Sequence, residues 1–298
     1  VPVFDTDAFM IIAGLGGGTG SGGAPVLASH IRDLYEEPVY GFGVLPSESE
    51  GGRAALNAAR AFRSFVDATD NLILFDNDSW GLGQDSFESG YEQINEEIAK
   101  RIETLLSAGE LDGSTVSENA MDSSDIRRTL ATGGVSTIAY AETDTAAPSS
   151  EEGLLGRFQR DGAADDRSGA DSATKVNGLA RQAARSRMTC GADIASVERS
   201  LVVVSGPPRE LSRKGAESAR MWLEEQTGSE VVAGDDPREE ARTLSAAILF
   251  SNVTTVPRVD ELQETAVDAQ GVIESQESTR EAEIDELIRD EGDELDPV

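Results

Sequence analysis

The segment GGGTGSGG, Gly16 to Gly23, constrains this chain more than any other, because it directly follows a nearly continuous apolar run, Ala8 to Leu15. Such a run fits a short strand covered on both faces. After the glycines come Ala24-Pro25, with proline tolerated in a first helical turn, and then Leu27, Ile31 and Leu34 at helical spacing until Pro38. The expected order is strand, glycine loop, helix. A helix N-terminus offers unpaired N–H groups and a partial positive charge, so a glycine loop that runs into one can cradle phosphate. Gly16, Gly17, Gly18, Gly20 and Gly22 let the backbone come close to a ligand without Cβ clashes, and Thr19 and Ser21 add hydroxyl donors. The plain alternative, a tight strand-to-helix turn, does not require five glycines in seven residues.

The same grammar repeats. Val39 to Leu45 reads as a strand, Pro46 to Gly52 as a loop, and Arg53 to Val66 as an Ala-rich helix carrying Leu56, Phe62 and Phe65. Leu72 to Phe75 is a third strand, followed by Asp76-Asn77-Asp78 and a long helical pattern with Tyr91, Ile94, Ile98, Ile102, Leu105 and Leu106. Strands alternating with helices imply parallel βαβ units, whose ligands lie beyond the carboxyl ends of the strands. The glycine loop and the Asn77 loop both sit at such ends. Past the long helix the pattern changes to a polar loop, Gly109 to Ser124, a short helix around Ile126 to Leu130 and a strand from Val135 to Tyr140. Glu142 to Thr174 is rich in Ala, Gly, Ser and Asp and reads as a mobile surface loop. Helices are expected near Val176 to Arg187 and Leu211 to Gln226, and strands at Leu201 to Val204, Val231 to Ala233 and Ala246 to Phe250, an α+β unit. From Asp260 an acidic helical stretch with Leu262, Val267, Ile273, Ile284, Leu287 and Ile288 reads as a solvated tail.

Composition narrows the function classes. A length of 298 residues suggests two domains. With 25 Lys+Arg against 56 Asp+Glu, a net charge of −31, the chain lacks the basic footprint of a nucleic-acid binder. Only Lys100, Lys175 and Lys214 are lysines, and this acid-rich, lysine-poor balance suits a halophilic cytosol. Cys190 is the single cysteine, which excludes an intrachain disulfide and fits a reducing compartment. No apolar run approaches the ~18 residues needed to span a bilayer and no signal peptide is visible, so a soluble cytoplasmic protein is expected. His30 is the only histidine and lies within the first helix, so a Ser-His-Asp triad or a histidine-based metal site lacks parts. Trp80 and Trp222 read as packing residues. A P-loop is excluded because no lysine precedes Lys100. A dinucleotide fingerprint matches formally at Gly18-x-Gly20-x-x-Gly23; its ribose-binding acid should close the next strand, and Glu48 and Glu50 lie in that general region, so an NAD-dependent oxidoreductase stays open as an alternative.

The heptapeptide GGGTGSG after a strand resembles the signature of the tubulin/FtsZ superfamily of GTP-binding filament proteins. Its context, AGLGGGTGSGGAPVLASHI followed by EPVYGFGVLPSESEGG, NLILFDND and YEQIN, is similar to the archaeal tubulin-like CetZ family in particular. The acidic composition fits the haloarchaea in which that family is common. The resemblance implies a Rossmann-like α/β parallel-sheet GTPase domain over residues 1–84, a long central helix over 85–108, a second α+β domain with a mixed sheet over 109–260 and an acidic helical tail over 261–298. It implies phosphate contacts from Gly18, Thr19 and Gly20, with Gly16, Gly17 and Ser21 in the same cradle, and a ribose contact from Glu50. Asn77 would read the guanine edge, Tyr91 would stack on the base and Asn95, one helical turn on, would hydrogen-bond it. A basic residue of the FtsZ ribose loop is replaced here by Ala54, next to Arg53.

In the superfamily the loop after the central helix enters the nucleotide site of the next subunit. The matching stretch is SENAMDSSDIRRT, where Asp122 and Asp125 correspond to the two acids that position the attacking water and influence the cation. Hydrolysis of a loose phosphoryl transition state depends on such positioning and charge. The family's asparagine position is held by Ala120, with Asn119 one residue away. N-capping of the Ile126 helix is the plain alternative for both aspartates. The implied protein is a cytoskeletal GTPase that binds GTP and GDP with Mg²⁺ and polymerises with itself head to tail, in control of cell shape. Regulatory or membrane-tethering proteins are its other implied partners, and a catalytically silent filament or regulatory subunit is the alternative of the same fold. Superfamily members carry further strand-loop units before the first strand seen here, so the resemblance implies a GTPase domain incomplete at its N-terminus, not expected to fold well or bind GTP tightly alone.

Overall fold

The computed structural model describes residues 6–80, 87–108, 121–145 and 163–288. Its first half is the expected alternation: β1 (Phe9–Gly14), α1 (Gly18–Leu34), β2 (Val39–Leu45), α2 (Gly52–Ala68), β3 (Asn71–Asp76), the single turn α3 (Asn77–Trp80) and the long α4 (Phe87–Ser107). β1, β2 and β3 are parallel neighbours. The second half runs α5 (Ser123–Leu130), β4 (Val135–Asp144), α6 (Ala163–Arg185), β5 (Arg199–Gly206), α7 (Arg213–Thr227), β6 (Glu230–Pro237), β7 (Thr243–Ser251) and α8 (Pro257–Ile288).

One sheet joins both halves in the order β1-β2-β3-β4-β7-β5-β6, with β7 antiparallel to β4 and β5. The seam is thin. β3 and β4 pair only at Leu72↔Val135 and Ile73↔Ser136, so the main-chain ladder between the parallel unit and the mixed unit is two residue pairs long. Side chains alternate between the two faces of a strand. Leu72 and Leu74 enter one apolar core, with Phe65, Ala180 and Leu223, whereas Ile73 and Phe75 enter another, with Phe42, Leu105 and Leu130. All six residues of β3 are buried: the apolar run Leu72 to Phe75 and, at its ends, the hydrogen-bonded Asn71 and Asp76.

Several expectations need correction. α1 begins at Gly18 rather than at Ala24, so the glycine segment forms the helix's own first turns and Pro25 falls inside it. Among the described residues β1 lies at the edge of the sheet, with Ile11 buried and Ile12 59% exposed rather than both covered. The buried face of α1 is Ala24, Pro25 and Ala28, while Leu27 and Leu34 of the expected apolar stripe are exposed. The expected loop from Glu142 to Thr174 is shorter, because β4 runs on to Asp144 and α6 begins at Ala163, with residues 146–162 outside those described. Alanine's helix propensity prevails over the polar composition of that stretch. The first turns of the acidic C-terminal helix are core, with Val259, Leu262 and Ala266 buried, and only its later turns are solvated.

Candidate nucleotide-binding site

Three loops leave the carboxyl ends of β1, β2 and β3. In the first, Gly17 caps α1 with extended backbone and no side-chain hydrogen bond, and the first turn contains no acid. Its leading N–H groups and the positive end of the helix dipole are therefore left for an anion. The glycines divide their labour. A Cβ on Gly20 would lie 2.0 Å from the Gly14 carbonyl oxygen, and one on Gly16 would lie 2.9 Å from Pro46 Cβ and 3.2 Å from Glu50 Oε2. Gly17 and Gly18 face open space, so the approach to the helix N-terminus is clear. Thr19 is exposed there, and the Ser21 hydroxyl donates inward to the Leu15 carbonyl.

In the second loop Ser47 caps a short 3-10 turn over Glu48–Glu50. Glu50 Oε1 accepts the Ser47 N–H at 2.9 Å, and Ser47 Oγ accepts from Ser49 N at 3.2 Å. Gly51 ends the turn at φ +83°, a backbone that favours glycine. The third loop is stitched to the second: Asp78 Oδ1 accepts from Ser47 Oγ at 3.0 Å and from Glu48 N at 3.1 Å. Asn77, at the start of α3, is half-buried. The structure thus brings together the glycine turn, the Glu50 loop and the Asn77 turn. Asn95 lies exposed on α4, one turn past Tyr91, whose side chain is outside the described residues, as are Asn119 and Ala120.

Two residues that sequence reasoning missed hold these loops. Asn57 of α2 donates its amide to the Gly16 carbonyl at 3.1 Å. Arg258, in the first turn of α8, donates to the Pro46 carbonyl at 2.9 Å and to Asp76 Oδ1 at 3.1 Å. Neither has a local signal, because both partners lie far away in sequence.

Asp122 and Asp125 sit elsewhere. They form a reciprocal cap on α5: Asp122 Oδ1 accepts from Ser124 N at 2.8 Å and Asp125 N at 3.1 Å, and the Asp122 N–H faces Asp125 Oδ2 at 3.5 Å. The Ser124 hydroxyl and the Asp125 N–H hold the exposed Asp122 carboxyl below its ordinary range. The far end of α5 is tied to the amino ends of β1 and β3. Arg127 pairs with Asp7 at 3.7 Å, and Asn71 Nδ2 donates to the carbonyls of Leu130 at 3.2 Å and Gly133 at 2.8 Å. A six-residue strand is about 20 Å long, so α5 is anchored that far from the loops at the carboxyl ends.

The remaining candidates behave as packing residues. Burial pushes the Cys190 thiol up to about 12, so it is an inert core group. Trp80 lies against Phe75 and under the guanidinium of Arg101, and Trp222 is covered by Arg181. His30 is exposed on α1.

Residues 3–82 match the model of the GTPase domain of the Tubulin/FtsZ family, and residues 84–268 match that of the C-terminal domain of tubulin-like CetZ. The chain belongs to the tubulin-like CetZ family. It is 46% identical to tubulin-like protein CetZ3 of Haloferax volcanii over 299 aligned positions, covering all of this chain and 76% of that protein. Among solved structures, the GDP-bound CetZ1 monomer of Haloferax volcanii superposes with a TM-score of 0.76 at 46% identity, over 90% of this chain and 72% of that one. The GTPγS-bound CetZ2 protofilament from the same organism gives 0.77 at 33% identity, over 91% and 73%. Membership of the CetZ family removes the oxidoreductase alternative, whose glycine fingerprint is contained in the GTPase match.

Proposed function

We propose that this CetZ-family chain binds GTP and GDP at the β1–β3 loops, assembles head to tail with copies of itself, and hydrolyses GTP at each junction. The observation that carries the reading is the separation within one chain: the free helix N-terminus and its neighbouring loops stand at one edge of the parallel strands, and the helix bearing Asp122 and Asp125 is anchored at the other. A contact that joins two different surfaces of identical copies is heterologous, and unless it closes it makes a filament. Such a contact brings the Asp122 and Asp125 of one copy to the phosphates bound by the next.

The α1 N–H groups and Thr19 hold phosphate oxygens, Glu50 accepts from ribose hydroxyls, and Asn77, Tyr91 and Asn95 select guanine. Asp122, an exposed carboxylate whose hydrogen bonds favour its charged form, orients the attacking water together with Asp125. Mg²⁺ in sites of this kind is held mainly by phosphate oxygens and water, and the described residues contain no cluster of three or more His, Cys, Asp or Glu that could cage a metal. The ion is expected to arrive with the nucleotide. The GDP and GTPγS carried by the Haloferax structures, and the protofilament formed by one of them, support the same reading. Control of cell shape, with regulatory or membrane-tethering partners, is the process we assign on family resemblance. Among the described residues no helix is long and apolar enough to cross a membrane.

The reciprocal cap at Asp122 and Asp125 favours one rival, a silent subunit in which the two acids only stabilise α5. The test is GTP turnover by the whole gene product in molar KCl. Turnover per molecule should rise steeply with protein concentration and should prefer GTP to ATP. A specific activity independent of concentration contradicts the shared site, and binding without turnover supports the silent subunit.

A further inference from the structure

Arg258 enters the molecule from the C-terminal helix, 182 positions away from Asp76 in sequence, yet it lies under the loops that carry Glu50 and Asn77. It is 8% exposed and its carboxylate partner Asp76 is 2% exposed, so the pair is shielded from water. Two nitrogens of its fork make hydrogen bonds and the third is ion-paired. Nε meets Asp76 Oδ1 at 3.1 Å, Nη2 meets the Pro46 carbonyl at 2.9 Å, and Nη1 lies 3.7 Å from Glu48 and 3.6 Å from Glu261. Asp76 in turn accepts the N–H of Asp78 at 3.1 Å and the hydroxyl of Ser79, which sets the first turn of α3. Pro46 opens the turn that ends in Glu50.

The ladder pairs Leu45 with Asp76 where the two loops begin, and Asp78 bonds Ser47 and Glu48 at their surface; the Arg258 guanidinium is the buried tie that reaches both loops from a third element. We propose that Arg258 is a positioning residue for nucleotide recognition, setting the spacing between the Glu50 turn and the Asn77 turn, and so makes ribose and base selection depend on the seating of the C-terminal helix. This rests on the nucleotide reading above and adds the part played by α8. Gly52 gives the coupling a second anchor: a Cβ there would lie 2.7 Å from Cβ of Ala269, so α8 packs directly on the start of α2, immediately after the Glu50 turn. Lysine cannot replace the fork, since a point charge does not reach a carbonyl and a carboxylate in fixed mutual geometry.

The experiment measures dissociation constants of GDP, 2′-deoxy-GDP and IDP for the whole gene product and for its Arg258→Gln and Arg258→Lys variants, with thermal melting alongside. The ribose and base ratios are Kd for 2′-deoxy-GDP over GDP and for IDP over GDP. Loss of a buried, charge-assisted contact should weaken GDP about tenfold in both variants and lower both ratios severalfold toward one. Should Arg258→Gln fail to fold, Arg258→Lys, which keeps a positive charge beside Asp76, carries the same prediction. Equal weakening of all three nucleotides, or unchanged ratios in Arg258→Lys, would make Arg258 a purely structural residue and overturn the inference. If the unsubstituted protein binds none of the three, the nucleotide reading itself fails and takes this inference with it.

Discussion

On the proposed function, Asp122 serves a helix and a reaction with one carboxylate. Its Oδ1 satisfies two orphan N–H groups of α5, and the Ser124 hydroxyl and the Asp125 N–H hold its carboxyl below the ordinary range. Asparagine caps helices about as well as aspartate but carries no charge. Asp122→Asn should therefore leave the melting temperature within about 1 °C while lowering GTP turnover about a hundredfold, the scale of a lost acid–base or water-orienting group. An unchanged turnover in a folded variant would leave the cap as its whole role. The glycines allow a similar separation. Gly20→Ala must drive a Cβ into the Gly14 carbonyl 2.0 Å away and should cost more than about 2 kcal/mol of stability in a denaturant titration. Gly18→Asp faces open space and adds an acid to a helix start that has none, so it should fold at least as well yet repel phosphate and abolish nucleotide binding.

At the scale of elements, the helix that reads as an acidic tail is partly a structural member. Val259, Leu262 and Ala266 fall at spacings of three and four, a pattern present in the sequence but masked by the surrounding acids. Gly52→Val should wedge α8 away from α2, cost about 1–3 kcal/mol and speed protease cleavage of α8; unaltered cleavage would mean that the contact at Ala269 is not holding it. The strands β2 and β3 were legible because continuous apolar runs flanked by turns have one good solution in a parallel sheet. The start of α1 was not, since glycine has poor helix propensity and only the Gly14–Gly20 approach and the free cap at Gly17 reveal why the turn is helical. Leu27 and Leu34 misled because spacing alone does not say which neighbour is present to bury a stripe. Of the site, the glycine turn, Glu50 and Asn77 were legible as motif, and the structure assembles their loops. Asn57 and Arg258 were not, because their roles come from contacts 41 and 182 positions apart.

For the whole molecule, the decisive feature is that a nucleotide cradle and a pair of acids are carried by opposite edges of the same parallel strands. The two-residue seam between β3 and β4 makes the halves one sheet, so α5 is held in register with the β1–β3 loops rather than on a loose second body. A chain with a net charge of −31 repels its own copies, and assembly is expected only where salt screens that repulsion. The central claim is that each hydrolytic site is made by two copies. Its most direct test mixes two impaired variants in molar KCl: Asp122→Asn, with an intact cradle, and Gly18→Asp, with an intact Asp122. The account predicts that each alone turns over GTP at a few per cent of the unsubstituted rate or less and that the mixture regains GTP turnover, because the Asp122 of one variant meets the nucleotide held by the other. A mixture no more active than its components, while both still co-assemble, would contradict it.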